Sequence, residues 1–565
     1  MTRTPLRTAA AAGAMAMLAA PGCMVGPDAE RPQVDAPAKW GALDPSVTDA
    51  ARQSRPVEGA PDLARWWATF NDPVLTSLVE RAAIGNLDLA AAEARVRAAR
   101  AQRAIAIGGL LPSVDAFGTA SHDPDFTTAD GPFVPNTSLF AAGFDASWEL
   151  DIWGKIRRGI EATDAGIAAA QFGMRDVWVT LAGEVAATYL QLRTAQAQLA
   201  IVRGNLAAQQ DALDITTRLY ETGMRGALDV SNARAQVEAT RSRIPRLESL
   251  VREQICTLGL LLGQQPTSLL PELTVAAPIP SVPPRIPVGL PSELLLRRPD
   301  IRRAEAELHA ATARIGVAIG QQFPTISLTA GLGTQSSDAG SLFGLASNYW
   351  SAGANATFPL FRGGAIQANI VLQKALADAA IAAYRRQVLA ALRDVEVAIT
   401  NFAQEQARRE ALAKSVAANV DAVGLAQQLY LAGRTDFLNV IATQRSLLDS
   451  QEALAGSEQA IAFNLVALYK ALGGGWEDMQ LKDGDQPAAE PATAPAADPA
   501  ASAASARTAS SAGSEGIAPS LVAANAPAAL PQASASAGDR PASVAARNAP
   551  TNASPQPTVS TARTP

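Results

Sequence analysis

The chain has little with which to do chemistry. It carries two cysteines and two histidines in 565 residues. His122 falls in a loop pattern and His309 in a helical one, without metal-ligand spacing between them. No Gly-rich phosphate loop and no nucleophile elbow occurs. Catalytic residues, metals and cofactors are therefore not expected, and the chain does not read as an enzyme. A basic excess is also missing. The net charge of −6 lacks the footprint of a nucleic-acid binder. Aromatics make up only 5% of the chain. Its apolar share is mostly alanine, which favours helix and close helix approach but builds a thin core. No apolar run in the mature chain is long enough for a transmembrane helix.

The ends of the chain are unlike its middle. Arg3 and Arg7 form a basic start, and Ala9 to Ala20 is an apolar stretch too short to span a bilayer. Residues 1–22 read as a signal peptide. The stretch ends Ala20-Pro-Gly-Cys23, and small residues before a cysteine mark a lipoprotein cleavage site with Cys23 as the acylated, palmitate-bearing first residue. An ordinary secretory signal with an incidental cysteine is the alternative, because Ala20 stands where leucine is usual. Met24 follows, where aspartate would favour inner-membrane retention, so outer-membrane sorting is expected. Residues 23–62, rich in Pro, Asp and Ala, read as an extended tether. Cys256 then remains the one thiol, which excludes an intrachain disulfide; its apolar helical run makes it buried and inert. Residues 481–565 are Ala, Ser, Pro and Thr with too few large apolar groups to offset chain entropy, so disorder is expected there.

Between the ends the chain is duplicated. Arg218-Leu-Tyr-Glu-Thr-Gly-Met-Arg-Gly-Ala-Leu-Asp-Val230 recurs as Gln428-Leu-Tyr-Leu-Ala-Gly-Arg-Thr-Asp-Phe-Leu-Asn-Val440, about 210 residues later. Each copy is a Gly-containing break between two long helical patterns, the tip of a helical hairpin. Repeat 1 covers 63–275, with strands at 113–121 and 139–151 and a tip near 222–228. A Pro-rich linker spans 276–296. Repeat 2 covers 297–480, with strands at 325–334 and 347–360 and a tip near 432–437. The strands are read from a switch of period. Over 140–150 the even positions are Phe, Ala, Phe, Ala, Trp and Leu, and the odd ones are small or polar. The segment 123–136 reads as a surface loop, and Pro245 predicts a kink or break in the first hairpin's return helix.

Four amphipathic strands cannot close a membrane barrel alone, and open edges are not tolerated in lipid. Chains must pool strands, and a pore argues for three chains and twelve strands. Phe144, Trp148, Ile326, Leu328, Trp350 and Phe358 would face lipid. Asp145 and Glu149 would face the lumen and give it a negative lining with a mild cation preference. A soluble β-sandwich with one wet face is the alternative on strand pattern alone.

Several motifs resemble one family. They are Cys23-Met-Val-Gly-Pro-Asp28, Trp148-Glu-Leu-Asp-Ile-Trp-Gly154, Arg298-Pro-Asp-Ile301 with Ala304-Glu305, Leu468-Tyr-Lys-Ala-Leu-Gly-Gly-Gly-Trp476, and the two Tyr-x-x-Gly tips. Over about residues 23–476 the chain resembles TolC-type outer-membrane factors, in the lipoprotein (OprM- or NodT-like) branch of tripartite efflux systems. The resemblance implies an α+β membrane protein: a homotrimer with a 12-stranded outer-membrane β-barrel continued by a long periplasmic α-helical barrel. It implies passive export of small molecules such as drugs and toxic compounds. An inner-membrane RND-type pump supplies the energy and a periplasmic adaptor links the two. Tip residues Gly223, Gly226 and Gly433 would meet the adaptor. Tyr430 matches the family's gate tyrosine and Asp229 an aspartate after the first tip, with Arg225, Arg434 and Arg445 as basic partners. Asn439 and Ala442 stand where relatives place aspartates, so the expected gate closes by Asp229–Arg contacts and apolar packing. A channel for type I protein secretion and a non-conducting lipid-anchored stalk are the rival readings.

Overall fold

Where the sequence period switches from 3.6 to two, the chain switches from helix to strand. The computed structural model describes residues 24–477 except 35–36, 44–54, 58–62, 124–125, 128–132, 135–136, 284, 290 and 292–296. The expected signal peptide, Cys23 and the 481–565 tail lie outside the described residues.

The first repeat opens with strand β1 (Arg55–Val57), a 3-10 turn over Trp66–Phe70, and helices α1 (Pro73–Gly85) and α2 (Leu87–Gly108). Strands β2 (Ser113–Asp123), β3 (Phe126–Thr127), β4 (Phe133–Val134) and β5 (Thr137–Leu150) follow. The first hairpin is α3 (Lys155–Glu221), α4 (Ala227–Arg241) and α5 (Arg243–Leu261). A short α6 (Leu270–Leu273) and β6 (Arg285–Pro287) lead into the second repeat. That repeat is α7 (Pro299–Gly320), β7 (Thr325–Ser336), β8 (Asn348–Thr357), α8 (Ala365–Leu431) and α9 (Phe437–Ala471). The descending helices α3 and α8 are each 67 residues long, about 100 Å at the helical rise.

Four strands form one antiparallel sheet in the order β2-β5-β7-β8. Register puts Phe144, Leu332 and Trp350 in one row, and Asp145, Gly331 and Ser351 in the next. The apolar and polar sets therefore fall on opposite faces. The surface loop expected over 123–136 instead carries the β3–β4 pair, which prolongs the β2–β5 hairpin.

Local chemistry sets the helix ends. α3 starts at Lys155. Gly154 takes φ +75, and Asp151 accepts from the Ile156 and Arg157 N–H groups at 3.0 and 2.9 Å. The break expected at Pro245 falls at Ser242, between α4 and α5. The matching limb in repeat 2, α9, lacks a proline and runs unbroken for 35 residues.

The scarce aromatics gather midway along the helices. Trp66 stacks on Tyr469 at 5.4 Å and Trp67 meets Trp178 edge-on at 6.0 Å. Tyr189, Tyr384 and Phe402 are buried in the same core. Each such ring buries far more apolar area than an alanine, about 1.5–3 kcal/mol per large side chain. Arg298 ties the second repeat's ends together. It donates to both Asp300 carboxylate oxygens at 3.0 and 2.5 Å and to the Ala471 carbonyl at 2.9 Å. Burial alone would raise the Asp300 pKa, but the Arg298 hydrogen bonds outweigh it and hold the carboxyl below its usual range.

The expected tether is a fitted strap over its described part. Val25 N–H donates to the Trp153 carbonyl at 3.2 Å. Arg158, 3% exposed, donates to the Val25 and Gly26 carbonyls and to Asp28 at 3.1, 3.2 and 2.8 Å. Gly26 crosses Gly316 so closely that a Cβ there would stand 2.5 Å from the Gly316 Cα. Farther on, Arg31 donates to the Tyr384 hydroxyl at 3.2 Å, and the Gly41 and Ala42 N–H groups reach the Glu396 carboxylate at 2.8 and 2.9 Å. β1 then pairs in parallel with β6 of the Pro-rich linker.

Candidate functional site

The two tips are built alike because glycine allows the same backbone reversal in each. Gly223 and Gly433 take φ +71 and +72. After the first helix, Gly223 N–H donates to the Tyr220 carbonyl and Met224 N–H to the Leu219 carbonyl, both at 2.9 Å. Gly433 and Arg434 repeat the pattern onto Tyr430 and Leu429 at 3.0 and 2.8 Å. Gly226 has φ −87 and is the residue before α4.

Around Tyr430 the tips meet. Its hydroxyl donates to Asp229 Oδ2 at 3.2 Å. Arg225 Nη2 donates to the Tyr430 carbonyl at 2.5 Å, while its guanidinium lies 4.4 Å from the centre of the Tyr430 ring. One arginine thus satisfies a C-terminal carbonyl of α8 and covers the ring next to it. The ring packs on Phe437 at 5.1 Å, in a small cluster with Ala233, Ala426, Val440 and Ile441. Burial pushes the Tyr430 pKa up, and nearby Asp229 adds to this. The hydroxyl therefore stays a neutral donor at physiological pH.

The expected Asp229–arginine contact is not formed among the described residues of this chain. Asp229 takes the tyrosine, and Arg225 takes the tyrosine's carbonyl and face instead. Arg445 donates to Gln236 Oε1 at 2.6 Å, joining α9 to α4 above the tips. Arg434 is exposed and makes no ion pair among the described residues. Asn439 binds Thr435 within its own turn at 2.6 Å.

On the sheet, Asp145 is exposed on the polar face and pairs across strands with Asp115, which the sequence pattern did not single out. Glu149 lies on the same face, but Lys155 Nζ stands 2.6 Å from it. Its charge is therefore matched at the start of α3. Phe144, Leu332 and Trp350 are 59, 63 and 78% exposed on the other face. Isolated exposed apolar groups are ordinary, but a contiguous row across a sheet marks a face made for an apolar medium or partner.

Among the described residues no His, Cys, Asp and Glu cluster could hold a metal ion, and no helix is long and apolar enough to cross a membrane. His309 instead contacts Glu161 at 3.0 Å. Cys256 is half-buried in α5.

The chain thus joins a two-faced four-stranded sheet to paired 67-residue helices. Residues 78–264 and 290–474 match the family model of outer membrane efflux proteins, and the chain belongs to that family. The pyoverdine export outer membrane protein OpmQ of Pseudomonas putida is 35% identical over 448 residues, covering 78% of this chain and 94% of the relative. The cation efflux system protein CusC of Escherichia coli is 30% identical, covering 81% and 97%. Among solved structures, the outer-membrane channel OprN superposes with a TM-score of 0.73 at 35% identity, over 80% of this chain and all of that one. The protein is an outer-membrane channel of an efflux system.

Proposed function

We propose that three copies form one gated duct, a 12-stranded barrel in the outer membrane continued by a periplasmic barrel of long helices. The observation that carries this is the sheet. Its edge strands β2 and β8 each have one strand neighbour among the described residues, while its faces are sorted into apolar and polar. In lipid an unpaired edge leaves a row of backbone groups unsatisfied, so β8 of one copy must meet β2 of the next. The helices make the same demand. Leu372, Leu376, Leu389, Val397, Leu425 and Leu429 are 38–60% exposed along α8. A second copy alongside would cover them.

Transport is passive, with the energy supplied at the inner membrane. Small molecules such as drugs and toxic compounds pass from an inner-membrane RND-type pump, joined by a periplasmic adaptor at the tips. There Gly223, Gly226 and Gly433 shape the turns, and Met224, Leu228 and Leu438 are 65, 69 and 60% exposed. Asp229, Tyr430 and Arg225 form a latch that makes the two tips of one copy a unit. Closure then lies between units, where the exposed Arg434 is a basic group with no ion pair among the described residues, while Arg445 braces α9 on α4. In the barrel, Asp145 with Asp115 sets a mild cation preference, and Glu149, paired to Lys155, adds little.

The chain is also held at the membrane through Cys23. The strap supports this reading. A Cβ on Gly154 would come within 2.9 Å of the Met24 Cα, so the residue after Cys23 lies where β5 ends and α3 begins. That junction is the rim of the proposed barrel, the depth at which an acyl chain can enter lipid.

The test is a purified chain reconstituted in planar bilayers. Discrete current steps from a heat-modifiable trimer support the duct, and absence of current supports a non-conducting stalk. Labelling with a palmitate analogue tests the anchor separately: Cys23→Ala is expected to abolish incorporation.

A further inference from the structure

Between the midway core and the apolar cluster at the tips, the seam joining the hairpins turns polar. Gln209 on α3 lies one turn farther from the tip than Leu213, Gln236 on α4 one turn farther than Ala233, and Gln444 on α9 one turn farther than Val440. Leu213, Ala233 and Val440 belong to the tip cluster, so helical spacing puts the glutamines in one layer above it. They are 3, 5 and 5% exposed. Gln236 is satisfied on its oxygen by Arg445. Gln209 has a hydrogen-bond partner for neither amide atom, and Gln444 has none for Nε2. Buried amide atoms without partners carry the cost of their lost hydration. One turn of α3 farther up, Asn205 Nδ2 donates to Gln451 Oε1 at 2.7 Å, so pairing between α3 and α9 resumes above the layer.

We infer that Gln209 and Gln444 are a pivot that biases the tips towards opening and confines the motion to the hairpin ends below them. With the tips latched together by Arg225, Tyr430 and Asp229, three buried amide atoms have no partner within the chain. Any parting or sliding of α3 against α9 that admits water, or brings new partners, relieves that cost. The tip cluster is separate from the midway core, so it can shift without unpacking the rest. A ligand or partner that opens the duct then needs less differential affinity to do so. The inference rests on the reading of the tips as the gate.

The experiment uses the full-length channel in planar bilayers with the double substitution Gln209→Leu and Gln444→Leu. Leucine extends the tip cluster by one turn and removes the unpaired amides. Heat dissociation of the trimer is expected to move to higher temperature while spontaneous openings fall about tenfold. A merely structural layer would change stability alone. Gln209→Asn, which keeps an amide, is expected to open as the wild type does. Opening frequency that is unchanged or raised in the double variant overturns the inference. If that variant fails to assemble, Gln444→Met keeps the volume without the amide; its openings are expected to fall, and unchanged openings overturn the inference equally. Arg225→Ala in parallel separates the two readings. A resting current unaltered by Arg225→Ala sinks the gate itself. A resting current raised by Arg225→Ala, with openings not reduced by the glutamine variants, sinks the pivot alone.

Discussion

At the scale of residues, the tip latch depends on one arginine with two jobs. Arg225 reaches both the carbonyl and the ring of Tyr430, whereas the tyrosine hydroxyl holds Asp229. Removing the guanidinium loses a charge-assisted hydrogen bond, about 1.5–3 kcal/mol, together with the ring contact. Arg225→Ala is therefore expected to raise resting conductance more than Tyr430→Phe, which loses only the hydroxyl; bilayer recordings of the two variants rank them. Asp300 gives a pH prediction. Its folded pKa lies below its unfolded value, so it stabilises the fold above the ordinary carboxylate range, and that contribution is lost as pH falls through the folded value. Asp300→Ala removes the two short hydrogen bonds of a buried arginine, leaving it Asp394 at 3.7 Å and the Ala471 carbonyl, and should cost about 1.5–3 kcal/mol near pH 7. In melting experiments the gap to wild type should shrink as the pH is lowered into the acid range. A gap independent of pH would contradict the assignment. Tyr430 and Asp229 were singled out by resemblance to a family's gate and Arg225 as a nearby basic group, but their pairing was not legible. Spacing along a helix does not say which side chain crosses to another helix. For the same reason Glu149 read as an unmatched lumen charge until Lys155, six residues on, was found against it.

At the scale of elements, period and punctuation carried most of the information. The switch to alternation marked all four long strands, and the tip glycines marked both reversals, because each reflects a local backbone requirement. The strap was not legible. Its Pro- and Asp-rich composition is that of an extended chain, and extended it is; what composition omits is the groove it lies in. Arg158 and Gly316 make that groove. A Cβ on Gly316 would stand 2.8 Å from both the Val25 carbonyl oxygen and the Arg158 Cγ. Gly316→Val should expel the strap, at about 1–3 kcal/mol of overpacking. Cleavage by a glutamate-specific protease at Glu30 is the measurement. It should be slow in the wild type and fast in the variant; equal rates would mean the strap is not held there. The proline break in the first hairpin has a different consequence. α4 and α5 meet at Ser242, whereas α9 runs unbroken, so duplicated halves have unequal return limbs. The asymmetry first visible as Asp229 against Asn439 thus extends along the limbs.

At the scale of the whole molecule, the chain is half-satisfied on its own. The strand edges, the exposed α8 face and the apolar row of the sheet all lack a neighbour within one chain. In the proposed duct, three copies and a bilayer would supply each of them. Two cysteines give no disulfide framework, and among the described residues no helix is long and apolar enough to cross a membrane. Most of the large buried side chains gather in the midway core, and a separate small cluster around Tyr430 and Phe437 holds the tips. The resting current of the purified wild-type trimer in a planar bilayer, set beside that of Asp229→Ala, tests this account most directly. The account predicts discrete current steps from the wild type, small at rest, and a larger resting current from the variant. A wild-type bilayer that stays at its bare conductance, or a resting current identical in the two proteins, would contradict it.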